Sequence, residues 1–386
     1  MKIKKVTIGL LIALLIGSLN KFVIADTSSK NFVDIESKYA VVIDSESGRV
    51  LYEKNAYDKS AMASLTKIMT SILLCEHCKM DELIEVPAEA TWIGGSEVGL
   101  KKGDMVKAED LLYSMMLPSG NDAAYTAGLH IGGTVDNFAK MMTNKAKEIG
   151  AYNTSFANPH GLDNENHYST AYDMALITRY ALKNKYINEA VGTKVKTVNL
   201  GSYSKTLTNT NRLLRQYSEI DGVKTGFTNS ANRCLIASQT INNERYICVI
   251  LGAETTDFRF NNAKKLLDEC FKKYEKKDIS DILNFYINIP VEKGNIDSYE
   301  RKISDSLELP LASGEYEKIY VKQDIKENIV PPMSAGEVLG KIEVFIDEEK
   351  IYEKEIKLEE DIRKKDLKDY LKDSVKGMFE PIDNII

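Results

Sequence analysis

Segments with strand character stand at both ends of the first two thirds of the chain. Residues 39–43 are apolar and rich in β-branched side chains, and residues 50–52 follow after a polar turn, which predicts a hairpin. Residues 235–237 and 246–251 form a second pair of this kind, joined by a short polar connection. Any fold of this chain must therefore bring strands that are remote in sequence into a common sheet.

Helical spacing of apolar residues fills the interval between these strand pairs. Residues 64–78 and 108–149 show this spacing, with a break at residues 118–120, and residues 260–274 show it again after the second pair. Strands at both ends with helices between them predict an α/β (α+β) fold. We expect an antiparallel sheet whose terminal pieces pair, with a helical lobe inserted between them.

The last third of the chain has a different character. A charged stretch at residues 272–277 is followed by short strand-like segments, which predict a small all-β domain. These segments are residues 285–287, 319–321, 342–346 and 350–352. We therefore divide the chain into a first domain at 26–278, a β domain at 279–358 and a C-terminal amphipathic segment at 359–386.

The first 25 residues are typical of an export signal. Three lysines precede the apolar run 6–19, and small residues suited to cleavage end at Ala25. An uncleaved anchor is the alternative, but about 14 apolar residues are fewer than the roughly 20 that span a membrane. Removal of this segment takes away four lysines and no acid, so the net charge changes from −6 to −10. A protein this acidic is not expected to bind nucleic acid.

Three short motifs carry the chemistry. They are S-x-x-K at residues 64–67, S-G-N at 119–121 and K-T-G at 224–226. A serine hydroxyl needs a base to become a nucleophile, and Lys67 follows Ser64 at a spacing that places both on one helix face. Lys67 acts as a base only when neutral, and burial together with a second cation, Lys224, would lower its pKa.

The motifs and their surroundings resemble those of the D-alanyl-D-alanine carboxypeptidases, a family of low-molecular-mass penicillin-binding proteins. Residues 158–162 and 167–170 also resemble this family, so the likeness covers residues 35–275 closely and the β domain more loosely. It implies the serine penicillin-binding and β-lactamase-like transpeptidase fold. It also implies removal of D-alanine from a peptidoglycan stem peptide through an acyl-enzyme on Ser64, with β-lactam antibiotics as inhibitors.

The resemblance assigns further roles within the motifs. Ser119 would relay the proton to the leaving amine, and Asn121 would hold a substrate amide. The backbone N–H groups of Ser64 and Phe227 would bind the oxyanion. Some relatives carry histidine in place of Phe227, so a pH dependence that rests on that histidine does not transfer.

The substrate's terminal carboxylate is expected at the third motif. Lys224 attracts it, Thr225 supplies a hydroxyl, and Gly226 lets the substrate backbone approach the strand. Arg259 is a candidate second anchor because its guanidinium suits a carboxylate, the alternative being a solvated arginine at a helix start.

Two other functions remain open at this point. A β-lactamase shares the serine and lysine but needs an acid that activates water, for which Asp163 and Glu165 are candidates. A penicillin-binding, wall-organising protein with little turnover is the second alternative. His160 is interpreted as a structural loop residue, because the chain lacks the G-x-S-x-G motif of a Ser-His-Asp hydrolase.

No cofactor and no metal are expected. Cys75 and Cys78 form a C-x-x-C around His77, but the segment is helical and no second such pair follows, so we interpret them as ordinary helix residues.

The C-terminal segment predicts an amphipathic helix. Its apolar residues recur at helical spacing between lysines, and they are Leu367, Tyr370, Leu371, Val375, Met378 and Phe379. Such a helix can lie in a membrane interface, which would hold the exported protein on the outer face of the cytoplasmic membrane. A helix packed on the β domain is the alternative, which Gly377, Pro381 and the interleaved aspartates favour.

Overall fold

A computed structural model describes residues 33–304 and 306–378. The predicted export signal, and Phe379 and Pro381 of the C-terminal segment, lie outside the described residues. The strands are β1 Tyr39–Asp44, β2 Val50–Lys54, β3 Leu83–Glu85, β4 Met105–Lys107, β5 Val195–Asn199, β6 Ser204–Thr208, β7 Ile220–Thr228, β8 Asn232–Ile241, β9 Glu244–Ala253, β10 Tyr274–Asp278, β11 Asn284–Pro290, β12 Ser298–Ser304, β13 Glu308–Ala312, β14 Ile319–Ile325, β15 Val338–Ile346 and β16 Glu349–Lys357. The helices are α1 Lys67–His77, α2 Ala108–Met116, α3 Asn121–Gly132, α4 Val135–Ile149, α5 Ala171–Ala181, α6 Lys185–Gly192, α7 Leu213–Gln216, α8 Thr256–Lys273 and α9 Leu367–Met378.

The first domain is built on a five-stranded antiparallel sheet with strand order β2-β1-β9-β8-β7. Strand β1 pairs along its length with β9, so the two ends of the domain meet as predicted. Strand β7 lies at one edge, and β8 is its neighbour in the sheet. The predicted α+β architecture with an inserted helical lobe is confirmed.

Both faces of this sheet are covered. Val41 and Ile43 of β1 belong to the core shared with the helical lobe, whereas Ala40 and Val42 belong to the core shared with α8. Successive strand residues point to opposite faces, so burial on both sides requires the continuous apolar run seen in the sequence.

The structure adds elements that the sequence pattern did not indicate. The hairpins β3–β4 and β5–β6 lie within the helical lobe. Helix α8 begins earlier than predicted, at Thr256, because the side chain of Thr255 caps it by accepting a hydrogen bond from the Phe258 N–H.

The β domain starts at a different residue from the predicted 279. Strand β10, which precedes that position, pairs antiparallel with β13. At the other end Ile362 is buried and bridges to Met333, so the β domain continues past the predicted end at 358. The two domains contact each other through the buried Arg49, whose Nη2 lies 2.9 Å from Glu315 Oε1.

Helix α9 occupies the predicted amphipathic segment. Its residues Leu367, Tyr370 and Leu371 are 76%, 49% and 59% exposed. Within the described residues, none of the helices has the length and apolar character needed to cross a membrane.

Candidate active site

Ser64 and Lys67 face the same way at the start of the helical lobe. Ser64 lies in a 3₁₀ turn at Ala63–Thr66, and the α-helix begins only at Lys67, three residues later than the sequence suggested. In a 3₁₀ turn, residues three apart eclipse each other, which aligns these two side chains. Lys67 is fully buried, and its Nζ lies 2.9 Å from Ser64 Oγ.

The other partners of Lys67 orient its amine. Nζ donates hydrogen bonds to Asn121 Oδ1 at 2.7 Å and to the backbone carbonyl of His160 at 2.8 Å. Both partners are acceptors, so a neutral amine gives its two N–H bonds to them. Its lone pair then points at Ser64 Oγ, which is the arrangement a general base requires.

A buried carboxylate holds the middle motif in place. Asp122 accepts hydrogen bonds from the backbone N–H groups of Val98, Gly99 and Leu100 at 2.8–3.1 Å. It thereby fixes the loop that carries Gly94, whose carbonyl accepts from Asn121 Nδ2 at 2.7 Å. That bond turns Asn121 Oδ1 toward Lys67.

Ser119 precedes α3 in a left-handed backbone conformation, with φ 72°. The residue is buried, and within the described residues its Oγ has no hydrogen-bond partner. An unpaired buried hydroxyl is costly, so this one is available to a substrate group that enters the site.

The third motif lies on the edge strand β7, directly beside Ser64. A Cβ added at Gly226 would come within 3.2 Å of the Ser64 nitrogen and 3.1 Å of the Met62 carbonyl oxygen, so glycine permits this close approach. Lys224 is fully buried and donates to the Thr225 carbonyl at 2.9 Å. The Thr225 hydroxyl lies 2.6 Å from that of Thr210.

Phe227 and Arg259 lie at the far end of this motif. The Phe227 side chain is exposed, and Arg233 lies over its ring at 5.0 Å. Arg259 on α8 donates to the carbonyl of Gly226 at 3.1 Å, so its guanidinium reaches the motif backbone. Its role as a carboxylate anchor stays a prediction.

Burial and a neighbouring cation lower the pKa of each of the two lysines of the site. Burial, followed by the charge of Lys224, lowers the pKa of Lys67 well below its ordinary value, while Asp122 opposes this shift. Burial, followed by the charge of Arg259, lowers the pKa of Lys224 to about 7. A charged Lys224 therefore favours the neutral form of Lys67, which is the form that can act as a base.

Three further residues contribute to the site although the sequence analysis assigned them no part in the chemistry. Asp122 directly follows a motif residue, yet nothing in the sequence shows that its carboxylate is buried. His160 contributes its backbone carbonyl, and His167 Nε2 lies 2.7 Å from Thr66 Oγ1. Burial lowers the pKa of His160 to about 3 and that of His167 to about 4, so both rings are neutral.

The acidic candidates for a β-lactamase mechanism are not hydrogen-bonded to the nucleophile or the base. Asp163 and Glu165 are exposed, and Asp163 accepts from the hydroxyl of Thr228 at 2.6 Å. In the part of the chain that the structure describes, no carboxylate is hydrogen-bonded to Ser64 or Lys67.

Comparison with known proteins gives the family. Residues 25–255 match the family described as D-alanyl-D-alanine carboxypeptidase, and residues 274–364 match the C-terminal domain of penicillin-binding protein 5. The chain belongs to the D-alanyl-D-alanine carboxypeptidase family. The predicted resemblance is thereby confirmed.

Relatives in this family align over most of the chain. The D-alanyl-D-alanine carboxypeptidase DacF of Bacillus subtilis is 36% identical over 345 residues, which cover 87% of this chain and 88% of DacF. The solved structure of penicillin-binding protein 5 from Haemophilus influenzae is 27% identical, with a TM-score of 0.70 over 86% of this chain and 99% of that one. The Streptomyces K15 DD-transpeptidase is 30% identical, with a TM-score of 0.59 over 62% of this chain and 99% of the other.

Proposed function

We propose that this chain is a serine D-alanyl-D-alanine carboxypeptidase that removes the terminal D-alanine from the stem peptide of peptidoglycan. The observation that carries the proposal is the environment of the Lys67 amine. Two acceptors, Asn121 Oδ1 and the His160 carbonyl, direct its lone pair at Ser64 Oγ. The family membership supports the same activity and supports penicillin as an inhibitor.

The reaction proceeds in two steps. Ser64 Oγ attacks the carbonyl of the penultimate D-alanine while Lys67 takes the hydroxyl proton, and the N–H groups of Ser64 and Phe227 receive the oxyanion. The carbon–nitrogen bond then breaks, and the proton passes through Ser119 to the leaving amine of D-alanine. Water next hydrolyses the ester on Ser64 and restores the enzyme.

The edge strand β7 binds the C-terminal end of the substrate peptide. An extended peptide can lie beside an edge strand, and Gly226 leaves room for its backbone. Lys224 and the Thr225 hydroxyl would receive the terminal carboxylate, and Arg259, which donates to the Gly226 carbonyl, would be a second anchor. A negatively charged chain end is therefore required for fast acylation.

The rate of deacylation distinguishes a carboxypeptidase that penicillin inhibits from a β-lactamase. A β-lactam enters the same site and acylates Ser64, but the resulting ester hydrolyses slowly. Within the described residues neither Asp163 nor Glu165 is hydrogen-bonded to Ser64 or Lys67, which disfavours the β-lactamase alternative. A wall-organising protein with little turnover would be acylated yet release no product.

The deciding assay compares two substrates. With a muramyl pentapeptide we expect steady release of free D-alanine that persists in the presence of a chelator, and with a chromogenic cephalosporin we expect little turnover. Mass spectrometry should place the penicillin adduct on the peptide that contains Ser64. Fast cephalosporin turnover without D-alanine release would favour a β-lactamase, and acylation without any product would favour the wall-organising role.

We further propose that residues 1–25 direct export, and that α9 then holds the protein at the outer face of the cytoplasmic membrane. The exposure of Leu367 and Leu371 on α9 supports an interfacial contact, because these side chains are apolar and are 76% and 59% exposed.

Truncation of the chain tests the membrane proposal. Because Ile362 is buried in the β domain, the cut belongs after Lys365, so that α9 is removed and the domain stays whole. Each lysine near an anionic surface contributes about 1 kcal/mol, so we expect binding to phosphatidylglycerol vesicles to weaken by about tenfold or more. D-alanine release from a soluble peptide should be unchanged. Equal vesicle binding by the two forms would contradict the proposal.

A further inference from the structure

The far ends of two active-site helices meet at the surface of the helical lobe. Cys78 immediately follows α1, and His130 lies in the last turn of α3. Glu82 lies between them, in the turn that leads into β3. One ligand atom from each of these three residues lies within 4.8 Å of the other two, and His130 Nε2 is 3.0 Å from Glu82 Oε1.

Thiolate, imidazole and carboxylate together form a donor set that suits zinc. Zinc bonds to these groups measure about 2.0–2.3 Å, so tetrahedral ligands lie about 3.3–3.8 Å apart. The ligand atoms lie within 4.8 Å of one another, so zinc binding requires them to approach each other by about 1 Å. Mg²⁺ and Ca²⁺ prefer sites made of oxygen alone, so this group disfavours them.

The backbone holds the three residues in this arrangement. The Cys78 N–H donates to the last turn of α1 at 3.0 Å. The turn at Glu82 is closed by its N–H, which donates to the Lys79 carbonyl at 3.0 Å, and by the Lys79 N–H, which donates to Glu82 Oε2 at 3.3 Å. The side chains of His130 and Glu82 are 37% and 38% exposed, which leaves a route for an ion from solvent.

We propose that Cys78, Glu82 and His130 bind a zinc ion, with water as the fourth ligand. This assignment replaces our expectation that the chain holds no metal. The sequence analysis interpreted Cys75 and Cys78 as ordinary helix residues, and Cys75, which lies within α1, is not a member of the group. Glu82 lies four residues after Cys78, whereas His130 comes from a segment that is distant in sequence and meets them only in the fold.

The ion has a structural role. Lys67 begins α1 and Asn121 begins α3, so zinc at the opposite ends links the two helices that position the base and its partner. Eleven helical residues span about 16 Å, which is too far for the ion to act on a carbonyl at Ser64. Zinc therefore stabilises the lobe and takes no part in the acyl transfer.

Binding measurements on reduced, chelator-treated protein test this proposal. Calorimetric titration with Zn²⁺ should give one ion per chain, and Co²⁺ should produce the near-ultraviolet absorption of a metal–thiolate bond. Cys78→Ser and His130→Gln should each weaken Zn²⁺ binding by about tenfold or more. Cys75→Ser is the matched control, one helical turn away, and should bind as the unaltered protein does.

Thermal unfolding gives a second readout that does not depend on activity. At a hundredfold excess over the dissociation constant, Zn²⁺ should raise the Tm of the unaltered protein and of Cys75→Ser by roughly 5 °C. Cys78→Ser should show a much smaller rise. Far-ultraviolet circular dichroism, measured separately, shows that each variant is folded and keeps this test independent of the proposed activity.

Three outcomes would overturn the assignment. They are absence of Zn²⁺ binding to the unaltered protein, equal losses in Cys75→Ser and Cys78→Ser, and Co²⁺ binding without the thiolate absorption.

Discussion

Replacement of Lys67 by alanine is expected to lower the rate of Ser64 acylation by about 10²–10⁴-fold, which is the usual contribution of a positioned general base. The change removes the amine that receives the Ser64 proton. It also leaves Asn121 Oδ1 and the His160 carbonyl without their donor, which should destabilise the fold by about 1–3 kcal/mol. The rate is measured with a fluorescent penicillin, with Ser64→Ala as the baseline without acylation.

A control variant separates the loss of the base from the loss of a hydrogen bond between a lysine and a backbone carbonyl. Lys54 also donates to a backbone carbonyl, that of Ile35 at 2.6 Å, but it lies on β2 away from the motifs. Lys54→Ala should therefore keep an acylation rate near that of the unaltered enzyme. If Lys67→Ala were acylated as fast as Lys54→Ala, Lys67 could not be the base.

The pH profile reports on the same amine. Lys67 accepts a proton only when neutral, and its pKa is lowered by burial and by Lys224, so the acylation rate should rise with pH through that lowered pKa. Lys224 has a pKa of about 7 and binds the carboxylate only when charged, so the rate should fall as pH rises through about 7. Lys224→Arg keeps its charge and should move the falling limb upward. A rate that falls steadily with pH through the acidic range would contradict this assignment.

The fold was largely predictable because most of its strands and helices can be recognised from short stretches of sequence. Residues 39–43 and 246–251 are continuous apolar runs, which is what strands covered on both faces require. The order of strands and helices along the chain then implied that the ends of the domain pair. The start of the β domain was placed late because strand β10 carries several charges, and its pairing with β13 depends on a partner remote in sequence.

The site was predictable where spacing within one helix or strand determines geometry. Ser64 and Lys67 are three residues apart, and Lys224 to Gly226 are consecutive. The relative positions of the residues within each motif can therefore be predicted from regular backbone geometry. The role of Asp122 could not be predicted, because its carboxylate acts by accepting hydrogen bonds from the backbone of a loop in another part of the chain. The group of Cys78, Glu82 and His130 depends in the same way on tertiary contacts.

Gly161 shows how one backbone position controls the nucleophile. Its φ is +91°, and an added Cβ would lie 2.0 Å from the carbonyl oxygen of Ala63, the residue before Ser64. That carbonyl also accepts from Thr66 Oγ1 at 2.8 Å, within the turn that carries the nucleophile. Because the obstructing atoms belong to the backbone, Gly161→Ala can be accommodated only by moving this turn.

Gly161→Ala should therefore lower the free energy of unfolding by about 3 kcal/mol or more, from left-handed strain and overpacking together. Displacement of Ser64 by about 1 Å should in addition slow acylation by about 10²-fold. Gly133→Ala is the matched control, because Gly133 has a φ of +69° but no described atom within 4 Å of its added Cβ. It should lose about 1–2 kcal/mol from strain alone and keep its acylation rate. Denaturant unfolding and penicillin labelling measure both effects, and equal losses in the two variants would show that the contact with Ala63 is unimportant.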